Sequence, residues 1–194
     1  MTSGVYPGGV WPVMLTPFTE KGEVDTEGLT ALVNWYIDSG VKGLFAACQS
    51  SEIYYLSPEE RVLIVKTTLE AAKGRVPVIA SGHCSDNPSG TLKELNAMAE
   101  TGVDAVITIS NHFARQGESD SVWFENMEET LRRLDPAVRL GVYECPHPYK
   151  RILSHEMMKF MADSGRFYFM KDTCCDASRI RERLEIIRGS KLGL

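Results

Sequence analysis

The stretch Phe167-Tyr168-Phe169-Met170-Lys171-Asp172 is a bulky, strand-forming run that ends on a charge. One unit earlier, Leu140-Gly141-Val142-Tyr143 runs into Glu144-Cys145-Pro146 in the same way. A lysine and a tyrosine at the C-terminal ends of successive parallel strands face one mouth of an α/β barrel, where such barrels keep their chemistry. A lysine held among apolar groups loses its proton readily and becomes a nucleophile toward carbonyl carbon. The plainer alternative is a lysine whose stem covers apolar surface while its ammonium reaches water. The rest of the chain decides between them.

Working outward, apolar runs alternate with amphipathic stretches. Strands are predicted at Val10 to Leu15, Gly43 to Cys48, Pro77 to Gly82, Ala105 to Ser110, Arg139 to Cys145 and Phe167 to Lys171. Helices are predicted at Thr26 to Ser39, Pro58 to Lys73, Pro88 to Thr101, Ser119 to Leu134, Ser154 to Ser164 and Asp176 to Arg188. Ser57-Pro58-Glu59-Glu60 reads as a capping box with proline at the first helical position. Gly40, Gly74, Gly102 and Gly165 each follow a helical stretch, where a left-handed residue is wanted. Strict alternation implies a parallel sheet with helical crossovers.

A dinucleotide-binding fold would place G-x-G-x-x-G after the first strand, and Thr16-Pro17-Phe18-Thr19-Glu20-Lys21-Gly22 has no such turn. A flavodoxin-like sheet fits by strand count. The other fit is a (β/α)8 TIM-barrel type, incomplete, with about six of its βα units, as one partial barrel domain over residues 1–194.

The composition is that of an ordinary globular protein, 43% hydrophobic and 24% charged. A net charge of −5 argues against a nucleic-acid partner, which needs clustered cations. No apolar run has the length of a membrane span. Met1-Thr2-Ser3-Gly4 has neither the basic nor the apolar part of a secretory signal, and the five cysteines lack metal-finger spacing. A reduced, cytoplasmic chain is the simplest expectation.

Strand alternation puts Phe167, Phe169 and Lys171 on one face, and Gly141, Tyr143 and Cys145 on one face of the strand before. Lys171 and Tyr143 are then expected to meet above Phe169 and Gly141, the glycine leaving room for a substrate. The second predicted strand ends in Ala46-Ala47-Cys48-Gln49-Ser50-Ser51-Glu52, whose backbone N–H groups and hydroxyls suit a carboxylate, or form a plain hydroxyl-rich turn.

The order of segments resembles the dihydrodipicolinate synthase and N-acetylneuraminate lyase family of Schiff-base aldolases. The resemblance is carried by Val13-Met14-Leu15-Thr16-Pro17-Phe18 with Gly22 and Asp25, and by Leu56-Ser57-Pro58-Glu59-Glu60-Arg61. Gly82, Gly102-Val103-Asp104-Ala105, Tyr143 with Pro146, and Lys171-Asp172 extend it over nearly the whole chain. It implies a barrel that is usually tetrameric or dimeric, with Lys171 as the Schiff-base lysine and Tyr143 as the acid/base. It further implies that Gln49, Ser50 and Ser51 hold the carboxylate of pyruvate or a related 2-oxo acid, and that an aldehyde is the second substrate. No cofactor is implied, because the lysine itself becomes the electron sink.

Three departures shape the expectation. Gln49, Ser50 and Ser51 stand where the family has two hydroxyl residues and a glycine. Asn111-His112-Phe113 replaces a tyrosine pair, and Phe113, counted among the substrate-binding residues, has no hydroxyl for a proton relay. Pro148 occupies the place of an arginine that would hold the second substrate. The expectation is therefore a carbon–carbon lyase acting on another aldehyde rather than a true dihydrodipicolinate synthase.

The chain stops at Lys191-Leu192-Gly193-Leu194, about two βα units short of closure, so open edges at the first and sixth strands and poor stability alone are expected. An inactive truncated or regulatory relative is one alternative. Another is a zinc-dependent barrel hydrolase or aldolase using a rim of Cys48, Cys84, Cys145 and Cys174 with His83, His112 and His147. Trp35, Tyr36, Trp123 and Phe124 are read as packing residues.

Overall fold

The computed structural model describes residues 6–85 and 87–194; Met1 to Gly4, on which the expectation about a signal segment rests, lie outside them. The elements alternate as α1 (Thr26–Asp38), β1 (Leu44–Ala46), α2 (Pro58–Ala72), β2 (Val78–Ala80), α3 (Pro88–Glu100), β3 (Ala105–Ile109), α4 (Asp120–Arg133), β4 (Leu140–Tyr143), α5 (His155–Ser164), β5 (Phe167–Lys171) and α6 (Ala177–Ile186). The strands are ordered β1-β2-β3-β4-β5, and β1 with β2, β2 with β3, and β4 with β5 run parallel. Strand order that follows chain order, with a helix after each strand, is the order of a (β/α)8 barrel, here incomplete.

The helices start where local chemistry allows. Asp25 accepts a hydrogen bond from Gly28 N at 2.9 Å before α1. Ser57 and Glu60 form the expected reciprocal box around Pro58 at the start of α2. Asp176 accepts from Ser178 N and Arg179 N before α6. At the far end of α5 the chain turns left-handed at Gly165, with φ 63°, as the glycine there implied.

The chain divides into two compact units. The first comprises residues 7–84 and 93–106. Here α1 buries Leu29 and Val33, worth about 1.5–3 kcal/mol each. Two stretches named for the resemblance have structural duties in this unit. Arg61 is buried and donates to Leu56 O, Gly82 O and Glu94, tying the end of β2 to α2 and α3. Asp104 accepts from Val78 N at 2.8 Å through its carboxylate while its own N–H bonds Val78 O, aligning the starts of β2 and β3.

One expected strand is not formed. Val10 to Leu15 makes only an isolated bridge, Val13 to Phe45, with Met14 N bonded to Phe45 O and Phe45 N to Pro12 O. Pro12 has no N–H to donate, so the ladder cannot run through it. The fifth and sixth predicted strands are therefore β4 and β5.

The second unit holds residues 85–92 and 107–194, with Tyr6. Trp123 of α4 is fully buried, its Nε1–H donating to Ser110 O, and it packs edge-on against Phe113, Phe124 and Phe160. Of the four aromatic residues read as packing groups, Trp35 differs: it is 62% exposed beside Tyr36. The β5 edge is not fully open, since Gly193 forms a parallel bridge with Phe169 and exchanges bonds with Met170 N and Tyr168 O.

Gly141 serves close packing rather than substrate room. A Cβ there would stand 2.7 Å from Phe169 O and run into Ile107 Cδ1. We predict that Gly141→Ala lowers stability by about 1–3 kcal/mol. Chemical denaturation of the two proteins checks this.

Candidate active site at the ends of β4 and β5

The parallel register sets Gly141 opposite Phe169 and Tyr143 opposite Lys171. Lys171 Nζ stands 4.4 Å from the centre of the Tyr143 ring. Tyr143 is buried while Lys171 is half-buried, so the amine meets an apolar, electron-rich face on one side. An ammonium gains about 0.5–2 kcal/mol from such a face.

The residue after each of these two is acidic and buried or nearly so. Glu144 and Arg183 are fully buried, and the Asp172 side chain is 11% exposed. Arg183 Nη2 donates to Glu144 Oε1 at 2.5 Å and to Leu153 O at 2.8 Å, and Nη1 donates to Asp172. Glu144 also stitches the strand ends: its N–H bonds Lys171 O, its carboxylate accepts from Leu153 N and Thr173 N, and its carbonyl accepts from Thr173 Oγ1. Burial pushes the Asp172 carboxyl upward, but hydrogen bonds from Cys174 and Arg183 and the Arg183 charge outweigh it and hold it below its usual value. Burial works against the Arg183 charge, and Glu144 and Asp172 more than restore it.

The loop after Tyr143 hangs on Asn111, whose Nδ2 donates to Cys145 O at 3.0 Å and His147 O at 2.9 Å. Phe113 is 2% exposed, its ring against Trp123. In the other unit, Gln49–Ser51 form a single 3-10 turn after β1. Ser51 is buried and committed locally, its hydroxyl donating to Met14 O and accepting from Cys48 N. Ser50 is exposed and Gln49 half-buried.

All five cysteines are free thiols, Cys48 and Cys145 are buried, and among the described residues no group of three or more His, Cys, Asp or Glu side chains is placed to hold a metal ion. Small thiols pack well at strand ends, which accounts for their positions. Among the described residues no helix is long and apolar enough to cross a membrane.

Known proteins resemble this chain over most of its length. The family model described as the dihydrodipicolinate synthetase family matches residues 6–130. The chain belongs to this family. A 4-hydroxy-tetrahydrodipicolinate synthase of Jannaschia sp. is 27% identical over 178 residues, covering 91% of this chain and 59% of that protein. The Bacillus subtilis synthase is 34% identical over 111 residues, 57% of this chain and 38% of that one. Among solved structures, that of YagE from Escherichia coli K12, a prophage protein of the dihydrodipicolinic acid synthase family in complex with pyruvate, superposes with a TM-score of 0.81. It is 25% identical and covers 93% of this chain and 59% of its own. The chain thus spans about 59% of the length of several family relatives it matches.

Sequence reading missed Arg183 and Glu144. No local pattern separates Arg183 from its neighbours Arg179 and Arg181 on α6, and only the fold shows which of them turns inward. A usable signal did exist: an acidic residue directly follows both Tyr143 and Lys171.

The depressed Asp172 carboxyl fixes a sign. The unfolded chain binds a proton there before the folded chain does, so this stabilisation is complete above the ordinary carboxylate value, about 3.9, and lost as pH falls through the lower folded value. We predict that the acid-side slope of Tm against pH, below about 4, is shallower in Asp172→Asn than in the parent. Thermal scans at several acidic pH values check it.

Proposed function

We propose that this chain carries the site of a Schiff-base-forming aldolase or lyase acting on pyruvate or a related 2-oxo acid. The observation that carries the reading is the pairing of Lys171 with Tyr143 at the ends of adjacent parallel strands. Family membership and the pyruvate bound to YagE support the substrate class.

In this reading, neutral Lys171 Nζ attacks the C2 carbonyl, and the carbinolamine loses water to give an iminium. The iminium draws electrons from the neighbouring carbon, so a C–H or C–C bond there breaks to an enamine. Tyr143 moves protons at the carbinolamine and at the aldol oxygen. The family resemblance assigns the 2-oxo acid's carboxylate to the Gln49–Ser51 turn; within that turn the Ser51 hydroxyl is already committed, which leaves its main chain and the Ser50 hydroxyl for that role. Phe113, packed against Trp123, supplies no proton. With Pro148 and Phe113 at two diagnostic positions, the aldehyde partner differs from that of dihydrodipicolinate synthesis. A homo-oligomer is part of the proposal, and the 87% exposed Tyr55 is the kind of side chain a subunit contact covers.

The test is borohydride trapping with pyruvate, read by intact mass and peptide mapping. The expected result is a reduced adduct on Lys171, absent in Lys171→Ala and formed about a hundredfold or more slowly in Tyr143→Phe. No adduct on this chain or on one extended by two further βα units overturns the reading and favours a non-catalytic relative. An adduct only on the extended chain places the activity in the longer protein.

A further inference from the structure

We propose that Arg183 is a positioning residue for the Lys171–Tyr143 pair, acting through the two carboxylates that follow them. This inference rests on the Schiff-base reading and deepens it. The observation is a buried ionic cluster of one arginine and two acids, each acid directly following one member of the Lys171–Tyr143 pair. Glu144 and Arg183 are fully buried, Asp172 nearly so, and the arginine comes from α6, after both strands.

Stability alone is a weak account of such a cluster. Desolvating three charges costs several kcal/mol each, and well-packed apolar residues often serve a fold equally well. The placement offers a better account. Side chains alternate along a strand, so Glu144 and Asp172 project away from the face that carries Tyr143 and Lys171. A grip on the acids therefore fixes the strand ends without occupying the space above the amine. Arg183 holds both acids at once, and Glu144 bonds the β5 end at Lys171 O, Thr173 N and Thr173 Oγ1. Small displacements matter here, since a shift of about 1 Å can cost about a hundredfold in rate.

The experiment measures borohydride trapping rate against pyruvate concentration on this chain and three variants: Arg183→Met, Thr173→Val, and the surface control Arg181→Met, exposed on the same helix. Thr173→Val keeps the side-chain shape and removes only the bond to Glu144 O. The expected result is a maximal rate lowered about tenfold or more in Arg183→Met and about threefold in Thr173→Val. The half-saturating pyruvate concentration stays unchanged, and Arg181→Met matches the parent. Circular dichroism checks that each variant folds. If Arg183→Met does not fold, Thr173→Val decides the matter. A folded variant of either kind at the parental maximal rate overturns the inference, as does a loss confined to half-saturation. No adduct in the parent or in the chain extended by two further βα units overturns the Schiff-base reading itself, and this inference with it; where only the extended chain reacts, the same variants are compared in that chain. An adduct in the parent with undiminished variants overturns only this one.

Discussion

The parallel pairing of β4 with β5 is the constraint on which the candidate site depends. Two side chains from positions 28 residues apart in the chain, Tyr143 and Lys171, meet because their strands pair in one register and not in a register slipped by one. A one-residue slip would turn one of them to the opposite face. Glu144 resists that slip, since its amide, carbonyl and carboxylate all bond residues 171–173. The site is thus an end of a sheet whose alignment is enforced just beyond its last residues.

The same end of the sheet holds the most concentrated charge in the described interior. Arg183 neutralises one acid and shares itself with a second, leaving the cluster acidic by one charge in a region that excludes water. The Arg183 hydrogen bonds and those accepted by the Glu144 and Asp172 carboxylates are charge-assisted, the kind that is short and directional. Directional bonds define positions more sharply than apolar contacts do. That is a property suited to the ends of strands carrying a nucleophile and a proton carrier.

Much of this was legible in the residues, for identifiable reasons. Helix starts were readable because Asp25, Ser57 and Asp176 act on groups only a few residues away. The facing of Tyr143 and Lys171 followed from a two-residue period applied to two short apolar runs. One failure was local, and the rest depended on partners distant in the chain. Val10 to Leu15 has strand composition, but Pro12 lacks the donor a ladder needs. Gly141 read as empty space because its neighbours Ile107 and Phe169 come from other strands. The Ser51 hydroxyl read as a ligand-binding group, while the fold directs it to Met14 O. Arg183 looked like any solvated helix arginine, and only tertiary packing selects it.

The most direct test of the central claim is a crystal structure of the chain after reaction with pyruvate and borohydride. The expected result is a covalent bond from Lys171 Nζ to C2 of the reduced acid, with β4 and β5 still in register and the Tyr143 hydroxyl within about 3 Å of the adduct. An unmodified Lys171 beside intact strands, or an adduct on a different lysine, would contradict it.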